Sequence, residues 1–242
     1  MDVRNVGVVI TGGSRGLGAE LAKELARRGA RLALVARGEA KLNEVVEELR
    51  AAGGDAHAIV ADVADKDQVY AIAGIAGSLL GSIDVVVHDA STLGPVPLRT
   101  LLETECEDLA DVLETNLVGP FRLTKAFVGP MVLRGRGGLV LHMSSDAAVN
   151  GYPGWGAYGA SKAALDHLAR IWAAELADTG VRFLAVDPGD MDTEMHAAAL
   201  PEADPSTLAR PEDVARRIAD LIANDDVATG SRVEAVNLLA AR

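Results

Sequence analysis

The chain has little of the chemistry that marks disulfide-rich, membrane-spanning or nucleic-acid-binding proteins. It contains one cysteine, Cys106, so no internal disulfide can form. Its formal net charge of −12 argues against a surface that binds nucleic acid. No apolar run approaches the ~20 residues of a membrane span, and the first apolar strand begins too early for a signal peptide. We therefore expect a cytoplasmic protein that binds neither nucleic acid nor membrane.

The chain also lacks a Pro/Ser-rich linker, and strand patterns alternate with helix patterns from end to end. This alternation predicts one α/β domain over residues 1–242, a Rossmann-type doubly wound parallel sheet with helices on both faces. The ligand crevice is expected at the carboxyl ends of the strands. Strands are predicted near 5–11, 31–36, 56–61, 83–88, 138–143, 181–187 and 232–237. Helices are predicted near 16–29, 39–52, 66–80, 104–133, 156–179 and 211–224.

A glycine cluster follows the first predicted strand directly and precedes a helical pattern. Gly12, Gly16 and Gly18 have the spacing Gly-x-x-x-Gly-x-Gly, which differs from the fingerprint of larger dehydrogenases. Glycines let the backbone approach a pyrophosphate, and the helix N-terminus stabilises its charge. An ordinary tight turn would use the same residues, but the position after the first strand favours a dinucleotide site.

Tyr158 and Lys162 stand four residues apart in a predicted helix and so share one face. A nearby ammonium group favours the phenolate, so we expect Lys162 to lower the pKa of Tyr158 toward neutrality. Tyr158 would then serve as a general acid or base. The pair is common by chance, and two helix-surface residues would show the same spacing.

Together with these two sites, further motifs give the chain a resemblance to the short-chain dehydrogenase/reductase family over nearly its whole length. Thr11 to Gly18 match the family's glycine motif, and Tyr158 and Lys162 match its Tyr-x-x-x-Lys. The resemblance implies a catalytic set of Asn116, Ser145, Tyr158 and Lys162. It implies cofactor contacts at Gly12, Ser14, Arg15, Gly16, Leu17, Arg37, Asp62, Val63, Ala90, Tyr158, Lys162, Pro188, Gly189 and Thr193.

One motif departs from the family pattern. Where the family usually has Asn-Asn-Ala-Gly, this chain reads His88-Asp89-Ala90-Ser91. Asp89 replaces an amide with an acceptor-only carboxylate, so we expect different hydrogen bonds at the central strands. Serine in place of glycine at position 91 predicts a turn without positive φ.

The end of the second predicted strand indicates which dinucleotide binds. An NAD-preferring enzyme has an acidic residue there, which would repel a 2′-phosphate. This chain has Ala36 followed by Arg37, and Arg15 lies in the glycine loop. Two guanidinium groups are well suited to a phosphate, although both could be solvent-exposed surface charges. We expect NADP.

The resemblance implies hydride transfer between the nicotinamide and a small-molecule carbonyl or secondary alcohol. Tyr158 would transfer the proton, Ser145 would donate a hydrogen bond to the substrate oxygen, and Lys162 would bind the nicotinamide ribose. Asn116 would support a water that links the lysine to solvent. The alternative is a non-catalytic dinucleotide-binding sensor or interaction protein on the same fold. Such proteins are expected to lose the tyrosine, lysine or serine, and all three are present here.

Several other features carry weaker expectations. Residues from about 190–207 have the small residues and prolines expected of a flap that covers substrate. Acidic residues and His196 in this flap could suggest a metal, but alternate positions in a loop are more typical of a solvated surface, so no metal is expected. His88 and His142 are expected to be structural residues with satisfied hydrogen bonds. Excess apolar residues on the helices at 109–133 and 156–176 predict a homodimer or homotetramer.

Overall fold

The computed structural model describes residues 2–238 and contains a seven-stranded parallel sheet between two layers of helices. The strands are β1 (Gly7–Thr11), β2 (Arg31–Ala36), β3 (Asp55–Val60), β4 (Val85–His88), β5 (Gly138–Met143), β6 (Val181–Asp187) and β7 (Arg232–Glu234). The helices are α1 (Gly16–Arg27), α2 (Glu39–Ala51), α3 (Val69–Leu80), α4 (Cys106–Leu113), α5 (Gly119–Arg134), α6 (Gly156–Glu175), α7 (Glu194–Ala199) and α8 (Pro211–Ala223). The predicted doubly wound sheet is confirmed.

The strands lie in the order β3-β2-β1-β4-β5-β6-β7. The chain passes from β3 at one edge to β4 beside β1, so the strand order reverses between β1 and β4. In such sheets the crevice beyond the carboxyl ends of the strands at the reversal is the usual ligand site. The glycine loop follows β1, and residues 89–91 follow β4.

Two apolar cores lie on opposite faces of the sheet. Because side chains of a strand alternate between faces, Val8 and Ile10 of β1 enter one core while Val9 enters the other. The first core is closed by α1, α2 and α8, and the second by α3, α5 and α6. These buried layers fix the strand ends that carry the polar residues of the crevice. Among the described helices, none is both long and apolar enough to cross a lipid bilayer.

Three predicted elements differ from the structure. The helix predicted near 104–133 is divided into α4 and α5 by a π-helical segment, Glu114–Val118. The last strand stops at Glu234, and a 3₁₀ turn follows at Ala235–Asn237. The flap contains a short helix, α7, which begins where the Thr193 side chain accepts a hydrogen bond from the backbone of His196. Apolar periodicity does not reveal a π-helical turn. A six-residue helix is too short to show an apolar periodicity at all.

Candidate active site

In the glycine loop, backbone segments lie so close together that Gly12 and Gly18 leave no room for a side chain. Gly12 has a φ of +79°, and a Cβ at this position would lie 2.7 Å from the backbone nitrogen of Ala90. A Cβ on Gly18 would lie 2.5 Å from the carbonyl oxygen of Gly12. The N-cap residue of α1, Arg15, makes no side-chain hydrogen bond to the first turn of the helix. Its amide groups therefore fit an anionic pyrophosphate, as the predicted dinucleotide site requires.

The other predicted loop residues divide between core and crevice. Leu17 is 5% exposed and belongs to the core, so only its backbone can face a cofactor. Ser14 and Gly16 are half-buried at the loop surface. Ala90 lies directly against the loop, where its backbone nitrogen donates to the Thr11 hydroxyl at 3.3 Å.

Three exposed cations lie in the glycine loop and in the segment after β2, which the sequence assigns to the adenosine end of a dinucleotide. Arg37 is exposed, with its guanidinium 3.6 Å from the Asp62 carboxylate. Arg15 and Lys41 both contact Glu194 of the flap, at 2.9 and 3.1 Å. Sequence reasoning missed Lys41, although its position four residues after Arg37 was a usable signal. In this structure each of the three cations is paired with a carboxylate.

Asp62 and Val63 follow β3 and lie on the same side of the crevice. Val63 is 6% exposed, and Asp62 accepts a hydrogen bond from the backbone of Ala64 at 2.9 Å. The turn after β6 lies opposite. Gly189 there has a φ of +75° and donates to the Asp187 side chain at 3.0 Å, and Pro188 precedes it. Thr193 reaches the glycine loop, because a Cβ on Gly16 would lie 3.7 Å from its methyl carbon.

Ser145, Tyr158 and Lys162 meet at the carboxyl end of β5. Tyr158 and Lys162 lie on α6, and the lysine ammonium is 5.5 Å from the centre of the tyrosine ring. The Lys162 ammonium donates to the Met143 carbonyl at 2.7 Å. Ser145 is hydrogen-bonded to the Tyr158 side chain, and its hydroxyl also donates to the Asp146 carboxylate at 3.1 Å. The structure thus places three of the four predicted catalytic residues together.

The protonation of Tyr158 differs from the sequence expectation. Burial raises the pKa of this phenol, and the carboxylates of Asp89, Asp187 and Asp146 raise it further, whereas hydrogen-bonding with Ser145 opposes the rise. The expected lowering by Lys162 is wrong for this structure. The lysine ammonium faces the ring and the Met143 carbonyl, and the nearby carboxylates act in the opposite direction. Tyr158 therefore holds its proton at neutral pH.

Behind the tyrosine and lysine lies a cluster of buried charges that sequence reasoning missed. Arg232 of β7 contacts Asp166 at 3.2 Å and Asp187 at 2.7 Å, and it also donates to the Ser145 carbonyl at 3.0 Å. Asp166 follows Lys162 by one helical turn and is 3% exposed. The four-residue spacing of these two residues was a usable signal, but no local pattern predicts the contact with Arg232.

Asn116, the fourth predicted catalytic residue, lies in the π-helical segment and is completely buried. Its side-chain oxygen accepts from the Thr92 backbone at 2.8 Å. Its amide donates to the Thr92 carbonyl at 2.9 Å and to the Ser161 hydroxyl at 3.0 Å. The side chain thus fastens the segment after β4 to α6. Its contacts position neighbouring elements.

The residues after β4 confirm the prediction for Ser91, and Asp89 there contacts α1. Within residues 2–238, Asn5 is the non-glycine residue that has a positive φ, so the turn at Ser91 avoids this conformation, as predicted. Asp89 accepts a hydrogen bond from the backbone amide of Gly18. The acceptor-only side chain thus contacts α1.

The expectation of satisfied hydrogen bonds is wrong for His88 and His142. His88 and His142 are paired residues of β4 and β5, and their rings stack with 5.0 Å between centroids. His88 contacts the Thr124 hydroxyl at 3.0 Å, but its Nδ1 and both ring nitrogens of His142 have no hydrogen-bond partner among the described residues. Burial lowers the pKa of both, that of His142 to about 3. They are neutral and incompletely satisfied.

A cavity of about 440 Å³ opens beside Ser145 and Tyr158. The flap forms one wall, with Met195 and Leu200 among its apolar residues. Trp155 forms part of another wall, and its ring centre lies 5.7 Å from that of Tyr158. Glu194 of the flap faces Arg15 and Lys41, and no three metal-ligating side chains converge within residues 2–238. The cavity has the size of a small organic molecule, and Tyr158 is one of the residues that line it.

Known proteins share both the sequence and the fold of this chain. The family model described as short chain dehydrogenase matches residues 7–204. A 3-oxoacyl-[acyl-carrier-protein] reductase from Staphylococcus aureus is 37% identical over 195 residues, which cover 80% of this chain and 78% of that protein. An uncharacterized oxidoreductase from Mycobacterium tuberculosis is 40% identical over 185 residues, covering 76% of this chain and 69% of that protein.

A solved structure gives the same result. A short chain dehydrogenase from Shigella flexneri, complexed with NADP, superposes with a TM-score of 0.89 at 29% identity and covers 97% of this chain and 99% of that one. The glycine loop, the position of the crevice and the sequence relatives all indicate the same family. The chain belongs to the short-chain dehydrogenase family and is an oxidoreductase that depends on a nicotinamide dinucleotide.

Proposed function

We propose that the protein is an NADP-dependent reductase of a carbonyl compound, with a secondary alcohol as the product. The observation that carries this proposal is the meeting of Ser145, Tyr158 and Lys162 at a substrate-sized cavity next to the glycine loop. Proton transfer requires a donor within hydrogen-bonding reach of the substrate oxygen, and Tyr158 lines the cavity. The same site would serve the reverse reaction at higher pH.

NADPH, when bound, supplies the hydride. Tyr158 donates the proton to the carbonyl oxygen, and its raised pKa keeps that proton available at neutral pH. Ser145 donates a hydrogen bond to the same oxygen as negative charge develops there. Lys162 would bind the nicotinamide ribose, and its ammonium lies 5.5 Å from the ring centre of Tyr158.

The preference for NADP rests on the cations near the end of β2. Arg15, Arg37 and Lys41 present positive charge where an NAD-preferring enzyme has an acidic residue. The Shigella flexneri relative is complexed with NADP. A 2′-phosphate would compete with Glu194 and Asp62 for these exposed cations.

We further propose that the protein assembles as a homodimer or homotetramer through α5 and α6. Phe121 of α5 and Trp172 of α6 pack together with 5.8 Å between ring centres, and Phe121 and Ile171 are 37% and 39% exposed. Most apolar residues of α5 are buried within the monomer, so the exposed patch is smaller than the sequence predicts. Light scattering tests the proposal: a mass near the 25.1 kDa of one chain would contradict it.

The substrate screen is the test of the reaction. The protein is mixed with NADPH and with ketones, aldehydes and ketoacyl thioesters in turn, and loss of NADPH fluorescence is recorded. We expect the native protein to oxidise NADPH with at least one of these substrate classes. The Lys162→Ala variant should oxidise no NADPH with any of them. Binding of NADPH without turnover across the whole panel would favour the sensor alternative.

A further inference from the structure

Glu194 joins the flap to the dinucleotide side of the crevice. It is the first residue of α7, directly after Thr193, and its carboxylate lies between two cations from different elements. One carboxylate oxygen lies 2.9 Å from the Arg15 guanidinium of the glycine loop, and the other lies 3.1 Å from the Lys41 ammonium of α2. Both contacts are hydrogen bonds as well as ion pairs. One flap side chain thus connects the glycine loop with α2.

The base of the flap is fixed by backbone hydrogen bonds that do not involve Glu194. The amide of Asp192 donates to the Ala209 carbonyl, and the amide of Ala209 donates to the Asp190 carbonyl, each at 3.0 Å. The flap therefore leaves and re-enters the fold at one point. Beyond this point, Met195 of α7 lines the substrate cavity, while the preceding residue Glu194 contacts the cations. The same short helix borders both parts of the crevice.

The contact of Glu194 with the two cations is accessible to competing anions. Among the described residues, Arg15 and Lys41 form no ion pair with any other carboxylate. Hydrogen bonds with Lys41 and Arg15 hold the pKa of the Glu194 carboxyl below its usual value, so it is ionised at neutral pH. All three side chains are more than half exposed, and exposed ion pairs are weak. A phosphate monoester carries more negative charge than one carboxylate and can replace it at these cations.

We propose that Glu194 is a specificity-determining residue that pairs with Arg15 and Lys41 until the 2′-phosphate of NADPH displaces it, and that this displacement releases the flap. This inference rests on the proposed function, from which it takes the preference for NADP. The flap itself thereby supplies a competitor for the phosphate. NADH has no 2′-phosphate and leaves the contact of Glu194 intact.

Competition of this kind has a sign that binding measurements detect. NADPH breaks two ion pairs that NADH leaves in place, so Glu194 lowers the affinity for NADPH alone. Two exposed ion pairs correspond to a factor of about 2–30 in affinity. Displacement of Glu194 also removes the two ion pairs that tie α7 to the glycine loop and to α2. The flap should therefore gain mobility when a 2′-phosphate binds.

Glu194→Gln tests the competition, because glutamine keeps the shape of the side chain and removes its charge. The Kd values for NADPH and NADH are measured by fluorescence titration of the native protein and the variant. We expect the variant to bind NADPH about 2–30 times more tightly and to bind NADH as before. Unchanged or weaker binding of NADPH would overturn the inference, and so would an equal gain for both cofactors.

Glu202→Gln is the matched control. Glu202 is an exposed carboxylate of the same flap, and it forms no ion pair within the part of the chain that the structure describes. The variant undergoes the same change of side chain and of net charge, so it reports the general effect of charge on an anionic cofactor. Its affinity for NADPH should remain close to that of the native protein. A gain equal to that of Glu194→Gln would overturn the inference.

Hydrogen exchange measures the release of the flap without the nicotinamide half of the cofactor. Adenosine 2′,5′-bisphosphate carries the 2′-phosphate, and adenosine 5′-monophosphate lacks it. In the native protein the bisphosphate should accelerate amide exchange in α7, where the amide of Ala197 donates to the Thr193 carbonyl at 3.0 Å. The monophosphate should leave this exchange unchanged. In Glu194→Gln, exchange should be fast from the start and respond to neither nucleotide. Unchanged or slower exchange of the native protein with the bisphosphate would overturn the inference.

The titrations separate this inference from the proposed function. If the native protein prefers NADPH to NADH and Glu194→Gln leaves both Kd values unchanged, the proposed preference for NADP stands and the role of Glu194 is overturned. If neither protein prefers NADPH to NADH, the proposed preference itself is contradicted. A native preference for NADPH that increases in Glu194→Gln but not in Glu202→Gln is the result that we expect.

Discussion

The two sides of the crevice are built by different means. On the side of β1 and β2, the backbone forms the site through glycines at which a Cβ would lie only 2.5–2.7 Å from neighbouring backbone atoms, and the cations there are exposed. On the side of β5 to β7, buried charged side chains form it, with Lys162 and Asp166 only 2% and 3% exposed. The first side is suited to a charged ligand that arrives from solvent. The second holds protons in fixed positions, and each charge there depends on its neighbours.

The largest effect short of removing the catalytic acid is expected on the buried side. Ser145→Ala should reduce kcat by about 10²–10³, the usual loss for one hydrogen bond to a developing oxyanion. Ser144→Ala is the control, since Ser144 is the neighbouring serine and its hydroxyl lies 3.4 Å from the Ser145 carbonyl. Steady-state kinetics with an accepted ketone measure kcat of both variants. Equal losses of kcat would show that Ser145 does not donate a hydrogen bond to the substrate oxygen.

A smaller effect is expected on the exposed side. Arg37→Ala should weaken NADPH binding at least tenfold, because the loss of a charge-assisted hydrogen bond costs about 1.5–3 kcal/mol. NADH binding should change little, since it lacks the 2′-phosphate. Fluorescence titration of both cofactors measures this. Arg136→Ala removes another exposed charge, in the turn between α5 and β5, and should affect neither cofactor. Equal affinity of the native protein for NADPH and NADH would show that the end of β2 has been misinterpreted.

The third expected effect concerns stability. The folded protein keeps His142 neutral, with a pKa of about 3, whereas an unfolded histidine takes up a proton near pH 6.5. The stability that this residue contributes is therefore present above pH 6.5 and is lost as pH falls toward 3. Between pH 7 and pH 5 the loss is about 2 kcal/mol for one such histidine.

Urea unfolding at the two pH values checks this estimate. His142→Leu should remove about 2 kcal/mol of the difference between pH 7 and pH 5. His167→Gln changes an exposed histidine of α6 and should leave the difference as it is. An identical pH dependence in native protein and His142→Leu would mean that the buried pair does not resist protonation.

The sequence predicted the fold well, because the order of strands and helices depends on local patterns. Alternating apolar strands and amphipathic helices define the sheet, and Gly12, Gly16 and Gly18 predict the turn after β1. The prediction failed where residues distant in sequence meet. Arg232 lies 66 residues from Asp166, yet the two are joined in the core. His88 and His142 stack only because β4 and β5 pair in that register.

The prediction that Lys162 lowers the pKa of Tyr158 failed for a related reason. A four-residue spacing shows that a lysine shares the helix face, but it does not show which way the ammonium points. Lys162 donates to Met143, and the carboxylate of Asp89 comes from the segment after β4. The sum of such contributions decides the pKa, and it requires the three-dimensional arrangement of all the charges.

Tyr158→Phe tests most directly whether Tyr158 is the proton donor in a site that also binds the dinucleotide. NADPH affinity and kcat should be measured on the same preparation with an accepted ketone. The account predicts a fall in kcat of about 10²–10⁴ with nearly unchanged NADPH affinity, because only the proton is lost. In Lys162→Ala both binding and turnover should fall. Near-normal turnover in Tyr158→Phe would contradict the account.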